Sequence, residues 1–200
     1  KNLVENSPDD AIDMNGCKNI IVSENYLLNN NDKAISVGTE EYGPTNNIII
    51  KHNLIINQGT GISIKDSSDA LIVNNTIVNT NRGVKAYLKN NIVQYTVGGS
   101  ALVQNTIFYS TNTSVVEVDK NSEIKIEYSI TEKTKLEGKA NLMGSPGFVN
   151  QEATNYHLLP NSISKNTGKD NVNMGRYLDS DSFLSITKKE KAYILTNDNL

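Results

Sequence analysis

Two linked internal repeats and the lack of any long amphipathic helical pattern predict an all-β fold: a right-handed parallel β-helix with an irregular C-terminal capping segment. The first repeat is Asn25-Tyr-Leu-Leu-Asn29, whose later copies begin at Asn53, Asn75, Asn105 and Tyr128. The second is a short alternating strand that travels with it, beginning at Ala11, Ala34, Gly61, Gly83 and Val115. Two signals that recur together at intervals of about 22 to 30 residues are typical of a solenoid.

A single repeat of this length cannot bury its own apolar face, so the repeats must stack. Stacking places equivalent residues in columns that run along the axis. The first two predicted inward columns are Ile12, Ile35, Ile62, Val84 and Val116, and Met14, Val37, Ile64, Ala86 and Val118. The third predicted inward column is Leu27, Ile55, Ile77, Ile107 and Ile130, beside a predicted ladder of stacked amides from Asn25, Asn53, Asn75 and Asn105.

The pattern divides the chain into three parts. Residues 1–135 carry the coils, residues 136–178 read as a C-terminal cap or wrap with Gly and Pro punctuation, and residues 179–200 read as a polar tail or linker. Lys1 to Pro8 offers little material to cover the first coil. We therefore expect missing N-terminal coils or a neighbouring domain in the native protein.

Composition excludes several classes of function. The 200 residues carry a net charge of −3, which argues against a nucleic acid partner. Apolar runs are short, so no membrane span is predicted. The single cysteine, Cys17, excludes an internal disulfide and multi-thiolate metal sites. His52 and His157 fall in unrelated repeats and are assigned structural or surface roles.

The segment GISIKDSSDALIVNNTIVNTNRGVKAY at 61–87 and the blocks GSPGFVN, NYHLLPNS and NMGRY carry a family resemblance. The chain resembles bacterial right-handed β-helix repeat proteins of the pectate-lyase-like superfold. The resemblance implies a secreted or cell-envelope protein. The superfold hosts lyases, hydrolases, epimerases and adhesins, so fold alone does not choose among them.

Outward positions of the second strand form a polar face that is the predicted location of any site. A lyase needs a base, a partner for the substrate carboxylate and a proton donor. Lys33 or Lys85 is the candidate base, and Arg82 is the candidate carboxylate partner. Four acids are candidate Ca²⁺ ligands: Asp9, Asp10, Asp13 and Asp32.

One departure weakens the lyase interpretation. In the alginate and chondroitin lyase branch, a strand resembling Ile35-Ser-Val37 is followed at once by the basic residue that abstracts the proton, whereas Gly38 stands here. The same charges also fit an ordinary solvated face whose members offset one another. The acids Glu40 and Glu41, on the first of two insertions at 38–45 and 87–99, are further candidates for cation binding.

Our leading prediction is an extracellular or cell-envelope module that scaffolds or binds a polysaccharide or cell-surface glycan. The candidate substrate-binding residues are Lys65, Tyr42, Tyr87 and Tyr95, since tyrosine rings stack on sugars and lysine hydrogen-bonds them. The alternatives are a polysaccharide lyase or epimerase that acts on uronate-containing glycans with Ca²⁺, and a surface assembly or adhesion module.

Overall fold

In the computed structural model of the chain, the structure describes residues 1–39, 43–89 and 95–177. These residues form short β-strands and one 3₁₀ turn at Lys169–Asn171. The strands are β1 (Leu3–Glu5), β2 (Ile12–Asn15), β3 (Lys18–Ser23), β4 (Tyr26–Leu28), β5 (Lys33–Gly38), β6 (Asn46–Lys51), β7 (Leu54–Lys65), β8 (Asp69–Val73), β9 (Thr76–Tyr87), β10 (Ser100–Gln104), β11 (Ile107–Tyr109), β12 (Ser114–Val118), β13 (Glu123–Glu127), β14 (Ile130–Thr131), β15 (Leu142–Met143), β16 (Phe148–Asn150) and β17 (Asn155–Leu158).

The strands stack coil upon coil. One sheet has ten strands, and a second has five in the order β13-β10-β8-β6-β3. Pairing is parallel throughout both sheets, and only the separate pair of β16 and β17 among the described strands is antiparallel. The predicted all-β, parallel β-helix architecture is therefore confirmed. No helix of the described chain is long and apolar enough to cross a membrane.

The first two inward columns follow the predicted register, but Val118, the last member of the second column, is 42% exposed and not buried as predicted. Ile12 pairs with Ile35, Ile35 with Ile62, and Ile62 with Val84, and Val116 continues the row. The central members of this column are completely buried. Aliphatic and β-branched side chains stacked at the strand spacing fill the interior of the coils, which is the main source of stability in such a solenoid.

The prediction for the third column is wrong at its last two members. Ile77 pairs with Phe108, not with Ile107, and Ile107 pairs instead with Thr76 and Ile130. Asn105 explains the shift, because it takes up the left-handed corner conformation with φ 51°. The strand therefore starts one residue later in this coil. Phe108 points into the core, and Ile107 and Ile130 lie on the outer side.

The predicted asparagine ladder exists, with one changed member. The side-chain oxygen of Asn53 accepts hydrogen bonds from the backbone and side-chain nitrogens of Asn25, at 3.0 and 2.9 Å. Asn75 receives the same pair of bonds from Asn53 at 3.0 Å. Thr106, not Asn105, continues the ladder, since its hydroxyl accepts the backbone N–H of Asn75.

The residue just before each of these ladder positions forms the corner between two strands of a coil. Each has a left-handed backbone with φ between 49° and 57°: Glu24, His52, Asn74, Asn105 and Tyr128. Asparagine tolerates this conformation better than most residues, which accounts for part of the asparagine content of the chain. The sequence repeat does not distinguish these corner residues from the neighbouring ladder residues. The structure places them at two adjacent positions.

Residues 144–177, here called the C-terminal strap, run back over the outer side of the ten-stranded sheet. Phe148, Tyr156 and Met174 pack there on an apolar layer that includes Leu54, Ile56, Val78, Ile107 and Ile130. Arg176 fastens the strap to an early coil. Its guanidinium donates to the carbonyl of Asn25 at 2.7 Å and lies 3.9 Å from the centre of the Tyr26 ring. The predicted tail at 179–200 lies outside the described residues.

Candidate functional site

The outward side chains of β2, β5, the second halves of β7 and β9, and β12 form one surface, here called the polar face. Pairing places its central column in the predicted order, one residue per coil: Asp13, Ser36, Ser63, Lys85 and Glu117. Parallel strands lie about 4.8 Å apart, so this column is roughly 19 Å long. The flanking column on one side contains Lys33, Thr60 and Arg82, and the opposite one contains Asn15, Gly38, Lys65 and Tyr87.

Lys33 is enclosed by acids at one end of the polar face. Its ammonium donates to Asp10 Oδ1 at 3.1 Å and also to Asp32. Burial alone would lower the pKa of Lys33, but the hydrogen bonds to Asp32 and Asp10 outweigh burial and raise it. A lysine held in its charged form is poorly suited to abstract a proton, so the geometry argues against Lys33 as the base.

Three of the four predicted Ca²⁺ ligands come together. One carboxylate oxygen each from Asp9, Asp10 and Asp32 lies within 4.8 Å of the others. Asp13 is not in this group, and it accepts a hydrogen bond from the Asn15 amide at 3.1 Å. The Lys33 ammonium already compensates two of the three acids, and a cation would have to displace it. A lysine ammonium therefore stands where a cation would have to bind.

Arg82 and Lys85 share a single acid at the other end. Arg82 Nε lies 2.6 Å from Glu117 Oε2, and Lys85 Nζ lies 2.8 Å from Glu117 Oε1. The hydrogen bonds from Lys85 and Arg82 hold the pKa of Glu117 below its ordinary value. One carboxylate between two cations leaves one positive charge in excess. The predicted base Lys85 and the predicted carboxylate partner Arg82 are thus already engaged with a protein acid.

Lys65 differs from these lysines because no carboxylate of the described chain pairs with it. Its side chain is only 7% exposed and crosses Gly38, where a β-carbon would lie 2.5 Å from Lys65 Cε. Burial lowers the pKa of Lys65; the Asp13 carboxylate opposes that shift and Lys89 adds to it. A buried ammonium with a lowered pKa and no ion pair is the least compensated charge of the polar face.

Unpartnered polar atoms lie on the same strands of the polar face as this lysine and on the strands beside them. The hydroxyls of Ser36 and Ser63 are buried, and neither has a hydrogen-bond partner within the described structure. Asn15 Oδ1 is likewise buried without a partner, and it lies 3.3 Å from the point where a Gly38 β-carbon would stand. Lys65 Nζ lies 3.1 Å from that point. We call these four residues, Asn15, Ser36, Ser63 and Lys65, the serine cluster.

The sequence prediction included Lys65 but missed the other three members of the serine cluster. A signal for them was present in the central column, where two serines stand between Asp13 and Lys85. Small side chains between long ones are easily covered by the side chains of the neighbouring columns, and both serines are fully buried. Residue type alone did not show that their hydroxyls have no partners, because that depends on what covers them.

The predicted tyrosines separate in the structure. Tyr87 lies on the polar face next to Lys65 in register, and the Lys85 ammonium is 4.8 Å from the centre of its ring. Burial raises the pKa of Tyr87. Tyr95 is half-buried in the segment before β10, outside the strands of the polar face. Tyr42, Glu40 and Glu41 lie outside the described residues.

Comparison with known proteins gives one match. A family model described as a right-handed β-helix region matches residues 1–97, which contain β1 to β9. No curated protein matches the chain, and neither does any solved structure. The matched family fixes the hand of the coils and agrees with the resemblance found in the sequence, and it names no ligand or activity.

Proposed function

We propose that the chain is a carbohydrate-binding module. It is a right-handed parallel β-helix protein: the family model matches residues 1–97, and the parallel pairing of the coils continues to β14. The glycan lies along the polar face and contacts residues of successive coils. We further propose that the protein acts outside the cell or in the cell envelope, where it would meet polysaccharides and cell-surface glycans.

One observation carries the proposal, the row of polar and aromatic side chains that successive coils place on one surface. The columns beside Ser36 and Ser63 carry Lys33 on one side and Lys65 and Tyr87 on the other. Asp13 and Lys85, in the central column, lie about 14 Å apart at three strand spacings. A surface of this length that offers ammonium groups and a phenol ring suits a row of sugar rings.

Tyr87 and Lys85 supply the open part of the same surface. The phenol ring provides an apolar face for a sugar ring, and the nearby ammonium provides a hydrogen-bond donor at its edge. Arg82, a third exposed in its side chain, extends the row of donors toward β12. Sugar recognition commonly combines one aromatic platform with several polar groups, and both are present here.

A glycan array followed by titration calorimetry with the best-bound oligosaccharide tests this function. We expect Tyr87→Ala to weaken binding by about tenfold, since it removes the stacking platform. Tyr128→Ala is a matched control, because Tyr128 lies at a corner away from the polar face. Binding to no glycan, or equal weakening by both variants, would contradict the proposal.

The lowered pKa of Lys65 favours a second candidate function, a lyase or epimerase that removes a proton from a uronate ring. Lys65 is the group best placed to be the base, since Lys33 and Lys85 are both held by acids. Ultraviolet absorbance of the unsaturated product, measured with pectate and alginate, tests for the lyase. Turnover that is lost in Lys65→Met would support it, and absence of turnover with intact glycan binding would favour the binding module.

A further inference from the structure

We propose that Lys65 and Asn15 are the site of an intramolecular isopeptide bond, an amide between the two side chains that joins β7 to β2 across Gly38 of β5. Asp13 is the acid that moves the protons of this reaction. The inference goes beyond glycan binding and does not depend on it, because the aromatic ring of Tyr87 keeps its place on the polar face whether or not the bond forms.

The two side chains meet over the glycine that lies between them. Asn15 pairs with Gly38, and Lys65 follows in the same outward column on the next strand. Two strand spacings separate the backbones of Asn15 and Lys65 by about 10 Å. Lys65 Nζ lies 3.1 Å, and Asn15 Oδ1 lies 3.3 Å, from the point where a β-carbon of residue 38 would stand. The absence of a side chain at Gly38 therefore brings the amine and the amide to the same place.

Neither reacting group is engaged elsewhere in the protein. No carboxylate of the described chain forms an ion pair with Lys65. Asn15 Oδ1 is buried and has no hydrogen-bond partner within the described structure. Buried side-chain oxygens in folded proteins are nearly always hydrogen-bonded, so this exception asks for an explanation. A carbonyl group that is open to attack by the neighbouring amine provides one.

Asp13 contacts the amide directly and acts on the amine through its charge. Its Oδ2 accepts a hydrogen bond from Asn15 Nδ2, the nitrogen that would leave, at 3.1 Å. Burial lowers the pKa of Lys65, and the Asp13 carboxylate is the charge that opposes this shift most strongly. A lysine with a lowered pKa is neutral and nucleophilic more often than an exposed lysine is. A carboxyl group next to the leaving nitrogen is in position to protonate it.

The reaction needs no oxidant, metal or other co-reactant. The Lys65 ammonium gives a proton to the Asp13 carboxylate, and the neutral amine attacks Cγ of Asn15. The Nζ–Cγ bond forms and the Cγ–Nδ2 bond breaks, with its electron pair going to Nδ2. Nδ2 takes the proton held by Asp13 and a second proton from Nζ, and it leaves as an ammonium ion. Asp13 is again a carboxylate, so the charges balance.

Intact-mass spectrometry of the whole chain tests the inference. During incubation at about pH 8, which favours the neutral amine, the mass should fall about 17 Da below the value calculated from the sequence, the loss of one ammonia. Trypsin does not cleave after a lysine whose amine is part of an amide. A digest should therefore contain residues 2–18 joined to residues 52–82.

Single substitutions separate the roles of the three residues. Lys65→Arg keeps the positive charge but cannot form this amide, and it should keep the calculated mass. Asn15→Ala removes the acceptor and should behave in the same way, so the test stands if one of the two variants fails to fold. Asp13→Asn should slow the loss of mass by about a hundredfold. Asn112→Ala is the matched control, because Asn112 is exposed and distant in sequence, and it should lose ammonia like the wild type.

One competing reaction gives the same loss of mass. The backbone nitrogen of Gly16 can attack Asn15 and form a succinimide, which joins no peptides and persists in Lys65→Arg. Loss of mass in Lys65→Arg, or a mass that stays at the calculated value in the wild type, overturns the inference and leaves glycan binding to its own test. The joined peptides confirm it, and they exclude Lys65 as the base of a lyase, because an acylated amine cannot take up a proton.

Discussion

The side chain of Lys65 lies across Gly38, close enough that a β-carbon at position 38 would stand 3.1 Å from its ammonium nitrogen and 2.5 Å from Cε. The two residues occupy consecutive coils in the same outward column. Sequence reasoning read Gly38 as the loss of a catalytic base. The structure shows that the missing side chain makes room for a lysine from the next coil.

Gly38→Ala should displace Lys65 while leaving the coil intact. The new methyl group meets the far end of a flexible side chain rather than backbone, so the free energy of unfolding should change by less than about 1 kcal/mol. Binding of the best-bound oligosaccharide of the glycan array should weaken several-fold, because Lys65 is moved from its place on the polar face. Chemical denaturation and calorimetry on the same sample measure both quantities. A large loss of stability with unchanged binding would contradict this account of the pair.

Removal of one rung of the asparagine ladder should be costly. Asn53 is fully buried, and its amide joins Asn25, Asn75 and the carbonyl of Val22. Asn53→Ala leaves several buried groups without partners and should destabilise the protein by about 3 kcal/mol. Urea denaturation measures the loss.

Asn112→Ala provides the control for the ladder variant. Asn112 is exposed, and its side chain makes one long contact of 3.5 Å with Asn81. Its replacement should change stability by no more than about 0.5 kcal/mol. Equal effects of the two substitutions would show that the ladder does not stabilise the coils.

Arg176 should be the anchor of the C-terminal strap. The guanidinium donates to the carbonyls of Asn25 and Glu24 and lies over Tyr26, so Arg176→Met removes these hydrogen bonds and the ring contact. We expect a loss of about 2 to 4 kcal/mol. Hydrogen exchange should then accelerate in residues 144–177 before it does in β7 and β9. Uniform acceleration across all coils would argue against a separable strap.

Stability should fall in acid because of His52. Burial and the nearby Lys51 lower the pKa of His52 to about 4, while a contact with the Arg176 carbonyl and the charge of Glu24 oppose the shift. The unfolded chain, with a pKa of 6.5, therefore binds the proton more readily. The stabilisation is complete above pH 6.5 and is lost as pH falls toward 4, by about 3 kcal/mol in total.

His52→Asn tests this assignment. Asparagine accepts the left-handed backbone at position 52, where φ is 53°, as Asn74 and Asn105 do in later coils. The variant should fold and should show a flatter fall in stability between pH 6.5 and 4 than the wild type. An unchanged pH profile would show that other groups titrate in this range.

The fold was predicted most accurately from the sequence where the repeat of the coils determines which residues face inward. Ile35, Ile62 and Val84 stack as predicted because a fixed inward alternation leaves one register that buries them. The prediction was wrong at Ile107, where the sequence repeat aligns Asn105 with Asn75 while the backbone places Asn105 over Asn74. A corner residue and a ladder residue of the same type are adjacent here, and sequence alone could not tell them apart.

The candidate site was less accessible to the same reasoning. Charged residues were found by type, and Lys33, Arg82 and Lys85 proved to be paired with acids of neighbouring coils. Which charged side chain remains without an ion pair depends on the distances between side chains of neighbouring coils. Lys65 was predicted from its residue type, but that it has no acidic partner in the described chain became known only from the structure.

The most direct test of glycan binding on the polar face is a nuclear magnetic resonance titration of the backbone amides with the best-bound oligosaccharide of the glycan array. We expect the largest shifts at Lys65, Lys85 and Tyr87, on one face of the coils, and much smaller shifts in Tyr87→Ala. Shifts centred on the five-stranded sheet, with the polar face unchanged, would contradict it.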